Sequence, residues 1–179
     1  MFHLSIQPVN PRQIPQIQRL EHEISNLDND NIEVASLETL FRRQAMFPQG
    51  FLVAQYNNTI LGYIESCRWN KEAGDFQTFD EIKDFPNQHV SDGENLYILG
   101  LAVHPQYRRN GVGSALVNAA VNLASQQKCS AAQLVADIEP QTQAFYNQLG
   151  FTPKLLLPTF YPGYSCCFME RLLKPQQTL

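Results

Sequence analysis

The stretch from Leu96 to Leu116, LYILGLAVHPQYRRNGVGSAL, passes from an apolar run through a basic, glycine-bearing loop into a helical pattern without a break. Few arrangements accommodate that order: a buried strand ends, the chain turns tightly, and the helix that follows points its orphan N–H groups back into the turn. Leu96 to Val103 is a nearly continuous apolar run of the kind buried on both faces of a sheet, and His104-Pro105 ends it. From Val112 onward, Val112, Ala115, Leu116, Ala119, Ala120 and Leu123 recur at the spacing of one buried helical face. Gly111 and Gly113 let a bulky anion approach the backbone, and Arg108 and Arg109 add charge to the partly positive helix end. These donors suit a pyrophosphate. Tight strand-to-helix turns also use glycine for steric reasons alone, and two arginines are equally an ordinary solvated surface. The G-x-x-x-x-G-K-[ST] loop is absent, as is the three-glycine dinucleotide pattern with its later acidic residue, so the phosphate ligand is of another kind.

A chain of 179 residues is about one domain, and the expected unit is a single domain over 1–179. Charged residues make up only 17% and the formal net charge is -4, which argues against a nucleic-acid partner and better suits a cationic substrate. The N-terminus lacks the basic start and apolar run of a signal peptide, and no run approaches the roughly 18 apolar residues of a membrane span, so a cytoplasmic protein without membrane attachment is expected. Cys67, Cys129, Cys166 and Cys167 form no C-x-x-C pair and read as reduced, structural thiols. No metal site is expected.

Along the chain, Phe2 to Gln7 reads as a strand and Pro11 to Ser25 as a helix on Ile14, Ile17, Leu20 and Ile24, broken by the polar Asn26 to Asn31. Ser36 caps a second helix through about Met46, with Leu37, Leu40, Phe41 and Ala45 inward. Both helices are expected to border the substrate. Asn57-Asn58 joins two strands, Phe51 to Tyr56 and Thr59 to Cys67, as a two-residue hairpin. Asn70 to Glu94 is polar and broken by Gly74, Pro86 and Gly93, which reads either as a mobile flap beside a substrate or as a disordered excursion. Ala132 to Asp137 is a strand, Gln141 to Leu149 a helix, and Phe151 to Leu157 with Tyr164 to Leu172 a final strand pair. Leu155 to Leu157 and Phe160-Tyr161 either cover a dimer edge or complete the core, leaving monomer and homodimer open. This order of elements gives a mixed α/β sheet.

Two segments carry a resemblance. Arg108-x-x-Gly111-x-Gly113 after the Leu-Ala-Val-His-Pro strand end resembles the acetyl-CoA signature of the GNAT superfamily of N-acetyltransferases, and Ala144 to Phe151, AFYNQLGF, resembles its second signature. The resemblance runs from about Phe51 to Arg171. Its closest flavour is the arylalkylamine and polyamine N-acetyltransferase-like branch, on Ala35 to Leu40, Phe51 to Ala54 and the Leu-Ala-Val-His strand end. It implies an α/β GNAT-like fold, a mixed, mostly antiparallel sheet of about six to seven strands splayed at the signature strand and flanked by about four helices.

The resemblance further implies acetyl-CoA as cosubstrate and a small-molecule amine as acceptor. The backbone of Leu101, Ala102 and Val103, together with Arg108, Arg109, Asn110, Gly111, Val112, Gly113 and Ser114, would bind the coenzyme, with a bulge between Gly100 and Val103 and a free N–H at about Leu101 for the thioester oxygen. Tyr146 aligns with the family's tyrosine near the coenzyme sulfur and would serve as acid, or else only packs with Phe145, Leu149 and Phe151. Tyr97 and Leu99 stand where arylalkylamine enzymes place two histidines, so a water chain from Tyr97 to Glu65 is the substitute route for the amine proton, unless Glu65 faces solvent. His89 and His104 are further candidates. Glu139 replaces an asparagine that many relatives use for the coenzyme. The alternatives are a protein or peptide N-acetyltransferase and a catalytically weak acyl-CoA-binding regulatory module.

Overall fold

Asn57 and Asn58 take φ values of 47° and 64°, the left-handed pair a tight hairpin needs, and they join β2 (Phe51–Tyr56) to β3 (Thr59–Trp69) in antiparallel register. The computed structural model describes residues 4–28 and 34–173. Its strands run in the order β1-β2-β3-β4-β5-β7-β6, with β1 (Ser5–Pro8), β4 (Asn95–Val103), β5 (Ala131–Asp137), β6 (Thr152–Tyr161) and β7 (Tyr164–Leu172). β4 and β5 pair parallel, whereas β1 with β2, β5 with β7 and β6 with β7 pair antiparallel, so the sheet is mixed and mostly antiparallel as expected. Five helices are described: α1 (Ile14–Asp28), α2 (Leu37–Met46), α3 (Phe85–Gln88), α4 (Val112–Gln126) and α5 (Pro140–Gln148). The chain divides into two compact units, Met1–Ser66 with Gly100–Ala120 and Cys67–Leu99 with Val121–Leu179.

In the first unit, Ile14, Ile17 and Leu20 of α1 and Leu40 of α2 bury against Phe51, Val53 and Tyr63, with Ala102 packed at the margin. Ser36 caps α2 by accepting from the Thr39 N–H at 3.1 Å. The inward face of α2 differs from the periodicity reading: Leu40 and Gln44 are buried, while Leu37, Phe41 and Ala45 are exposed. Gln44 holds its place by donating to the Val9 carbonyl. α1 continues three residues past the expected stop, to Asp28; the rest of the expected break, residues 29–31, and the first two residues of the expected strand, Phe2 and His3, lie outside the described residues.

In the second unit the stretch 70–94 is no loose flap. Phe76 sits 5.6 Å from Trp69, 6.0 Å from Phe168 and 6.2 Å from Phe160, ring centre to ring centre, and Ile82 and Phe85 are buried. Glu72 accepts from the side chain of Asn95, and the Asn70 side chain accepts from the Glu94 N–H. The segment's average polarity concealed a few apolar anchors, and these supply the burial that orders it. Along β6, Leu157 and Phe160 are buried while Leu156 and Tyr161 are exposed, and the register shift between Leu157 and Tyr161 is what turns both Leu157 and Phe160 inward across an odd spacing.

Candidate functional site

β4 is buried from Asn95 to Ile98 and half-buried from Leu99 to Ala102, which departs from the fully buried strand read from its apolar run. Its ladder with β5 runs from Asn95↔Ala131 to Ile98↔Leu134, although β4 itself extends to Val103. Beyond the strand, the His104 N–H donates to the Leu61 carbonyl at 2.9 Å and its Nδ1 accepts from the Gln106 N–H, which shapes a short turn. Arg108 Nε donates back to the Val103 carbonyl at 3.0 Å, and the Asn110 side chain donates to the Arg108 carbonyl. Arg109 at φ 61° and Gly111 at φ 81° then lift the backbone into the helix, and a Cβ on Gly111 would meet nothing within 4 Å. The Ala115 N–H donates to the Gly111 carbonyl at 2.9 Å, so the N–H groups of Val112, Gly113 and Ser114 precede it and have no partner within the helix. Val112 is buried and anchors this end, while Arg108 to Gly111 are exposed. The loop is thus an open, positively biased cradle of backbone donors.

In the second unit Tyr146 lies half-buried on α5, its ring 4.9 Å from Phe145 and 5.9 Å from Phe151. Burial, with the nearby Asp137 carboxylate, pushes its pKa up to about 12. Asp137, which sequence reasoning missed, ends β5 and holds the start of α5: its carboxylate accepts from the Glu139 N–H at 2.9 Å and from the Thr142 hydroxyl at 3.2 Å. Glu139 itself is exposed and makes no capping bond through its side chain. Tyr97 is buried, 4.0 Å from Trp69 and 6.0 Å from Phe85, and burial first, then Tyr161, Cys67, Cys166 and Tyr146, raise its pKa well above 10. It is a protonated phenol in an aromatic cluster.

Glu65, in the first unit, does not face solvent. It is 3% exposed, and its Oε2 accepts from Arg43 at 3.0 Å. Two residues earlier on β3, the Tyr63 hydroxyl donates to Glu21, whose other oxygen accepts from the Ala35 N–H. Desolvation, opposed by Arg43 and reinforced by Glu21, pushes Glu65 up to about 7. Arg43, Glu21 and Tyr63 left no local signal in the sequence, which singled out Glu65 alone on this face.

His89 is no loose surface ring: its Nδ1 accepts from the Arg68 N–H at 3.1 Å, and burial with Arg68 lowers its pKa. All four cysteines are free and buried, and burial raises Cys67, Cys129 and Cys166, the last to about 11, which removes them as thiolate nucleophiles. Among the described residues no group of three or more His, Cys, Asp or Glu could hold a metal, and no helix is long and apolar enough to cross a membrane.

The model of the acetyltransferase (GNAT) family matches residues 16–151, a span that includes parts of both units and the whole strand–loop–helix. The chain belongs to this family. Over 90 residues, 49% of its length, it is 34% identical to the probable hydrolase YhcX of Bacillus subtilis (strain 168), and that match spans 18% of the relative. Two solved structures show the same fold: the GphF GNAT-like decarboxylase in complex with isobutyryl-CoA (TM-score 0.80, 18% identity, 95% of this chain and 100% of that one) and the NatC complex bound to Gag peptide and CoA (TM-score 0.71, 19% identity, 96% and 99%). At these identities the likeness is one of fold.

Proposed function

We propose that this GNAT acetyltransferase moves the acetyl group of acetyl-CoA directly onto a primary amine of a small molecule. The observation that carries the reading is the cradle at the start of α4, where Gly111 holds φ 81° with open space over it and three N–H groups precede the first helical bond. A coenzyme pyrophosphate fits these donors, with Arg108, Arg109 and Asn110 around it and Gly113 and Ser114 beneath. Acetyl-CoA supplies an activated acyl group whose transfer forms a C–N bond and breaks a C–S bond. Leu101, Ala102 and Val103 present strand backbone to the pantetheine arm, and the Leu101 N–H polarises the thioester carbonyl.

Tyr146, held protonated to about 12, serves as hydrogen-bond donor to the departing sulfur. A thiol of ordinary pKa, about 8.5, is the stronger acid, so this tyrosine stabilises the thiolate without surrendering its proton outright. Of the two residues expected to handle the amine proton, Glu65 at about 7 fits an acceptor, and Tyr97 fits a hydrogen-bonding role only. A peptide acceptor, as in NatC, remains the alternative within this chemistry. The alternative of another class, an acyl-CoA-binding module with little turnover, draws on Tyr97, Leu99 and Glu139 at positions where relatives place histidines and asparagine.

Coenzyme thiol release from acetyl-CoA, followed with arylalkylamines, polyamines, amino acids and short peptides, tests the reading. Release with a small amine is the expected result. Release only with peptides moves the acceptor class, and acetyl-CoA binding with no release across the panel moves the reading to the binding module or to a protein acceptor outside the panel.

A further inference from the structure

Tyr63 and Glu65 are two residues apart on β3 and project from one face of it. That face is the one on which Tyr63 packs beneath α1 and α2, with Ala102 of β4 at its margin. β4 runs beside β3 here, because the His104 N–H reaches the Leu61 carbonyl and a Cβ on Gly62 would come within 2.5 Å of the Ala102 carbonyl oxygen. Carried along both strands from Leu61 and His104, this antiparallel register sets Glu65 opposite Gly100, and alternation turns Gly100 to the same face as Ala102. A Cβ on Gly100 would meet nothing within 4 Å. β4 therefore offers open floor next to a buried carboxylate.

The groups around that floor are unevenly charged. α1 brings Glu21, which accepts from the Tyr63 hydroxyl; α2 brings Arg43, which donates to Glu65 Oε2 at 3.0 Å. Arg43 thus pairs with Glu65, while the second carboxylate, Glu21, acts on Glu65 through its charge. Glu65 Oε1 is buried and has no hydrogen-bond partner among the described residues. An unmet buried acceptor is costly, and a site that keeps both an unused acceptor and two carboxylates to one guanidinium is complementary to a cationic donor. An ammonium group has both properties.

We propose that Glu65, with Glu21, Tyr63 and Arg43 around it, receives the ammonium group of the acceptor over Gly100, and that the substrate class is therefore cationic amines with no carboxylate beside the reacting nitrogen. The inference rests on the acetyltransferase reading above and adds to it the charge of the acceptor. An α-carboxylate would bring a third negative charge to a site whose guanidinium already faces Glu65.

Matched single-amine acceptors that differ only by that carboxylate, tyramine against tyrosine and phenethylamine against phenylalanine, test it with the full chain. The decarboxylated member of each pair is expected to lead by about 10-fold or more in kcat/KM, a preference of the size charge complementarity gives. Glu65→Gln is expected to lower kcat/KM for the amines by about 100-fold, with unchanged acetyl-CoA affinity. Equal use of both members, or a Glu65→Gln enzyme that matches the parent, overturns the proposal. If Glu65→Gln fails to bind acetyl-CoA and so has not folded, Glu21→Gln decides, since it leaves the Arg43–Glu65 pair in place and is expected to shrink the preference. If no amine is turned over, calorimetry of tyramine with the coenzyme-bound protein separates the two readings. Binding that Glu65→Gln abolishes keeps the cation site while the transferase reading falls, and no binding overturns the site.

Discussion

Tyr146 and Glu65 are both pushed upward by burial, to about 12 and about 7, and the same physics leaves one a permanent donor and the other a group that titrates near neutrality. Tyr146→Phe is expected to reduce kcat about 10-fold or more while leaving acetyl-CoA affinity unchanged, measured by single turnover and calorimetry; an unaltered kcat refutes the donor role. Glu65 also makes a stability prediction. Its folded pKa of about 7 exceeds the ordinary glutamate value of 4.5, so the folded state holds the proton more tightly than the unfolded chain. Stability contributed by this group is greatest below about 4.5 and is lost as pH rises toward 7, by on the order of 3 kcal/mol. Denaturant midpoints at pH 5 and pH 8 are expected to show that loss, with Glu21, Arg43 and Tyr63 as the facing charged and titratable groups, and Glu65→Gln is expected to flatten it. Tyr146 was legible because it sits in a contiguous motif. The partners of Glu65 come from two different helices, and residues that far apart in the chain share no local pattern.

Elements divide in the same way. The passage from β4 to α4 was readable because its determinants are local: an apolar run, a proline, positive φ at Gly111 and a helical stripe. Gly111→Val adds a β-branched side chain at φ 81° and fills the open space above the loop, so it is expected to abolish measurable acetyl-CoA binding by calorimetry while the far-ultraviolet spectrum stays that of the parent. Retained affinity would dissociate the loop from coenzyme binding. The stretch 70–94 was misread because order there comes from Phe76 meeting Trp69, Phe160 and Phe168, from Phe85 meeting Tyr97, and from the burial of Ile82. Phe76→Ala is expected to destabilise the protein by about 3 kcal/mol and to raise amide exchange across 79–88, as deletion of a buried aromatic does. The inward face of α2 was displaced for a similar reason: Gln44 finds the Val9 carbonyl, and that bond brings a polar residue inside while Phe41 stays out.

Over the whole chain, four buried thiols without a disulfide imply that covalent cross-links contribute nothing to stability. A reducing agent is expected to leave Tm unchanged, and a thiol reagent is expected to label the native protein only at the rate of its opening. β3, β4 and α4 each give residues to both compact units, so the units are not consecutive pieces of sequence, and the expectation of one domain over 1–179 was drawn from length rather than from contacts. The sequence by itself determined the family, the order of strands and helices and the glycine-bearing turn into α4, because hydrophobic period, turn residues and a contiguous motif are local properties of the chain. Only the tertiary structure decided that Glu65 is buried beside Arg43, that Asp137 and not Glu139 holds the start of α5, and that the polar stretch after β3 is ordered. Burial and pairing depend on which distant residues arrive together, and that is a property of the folded chain.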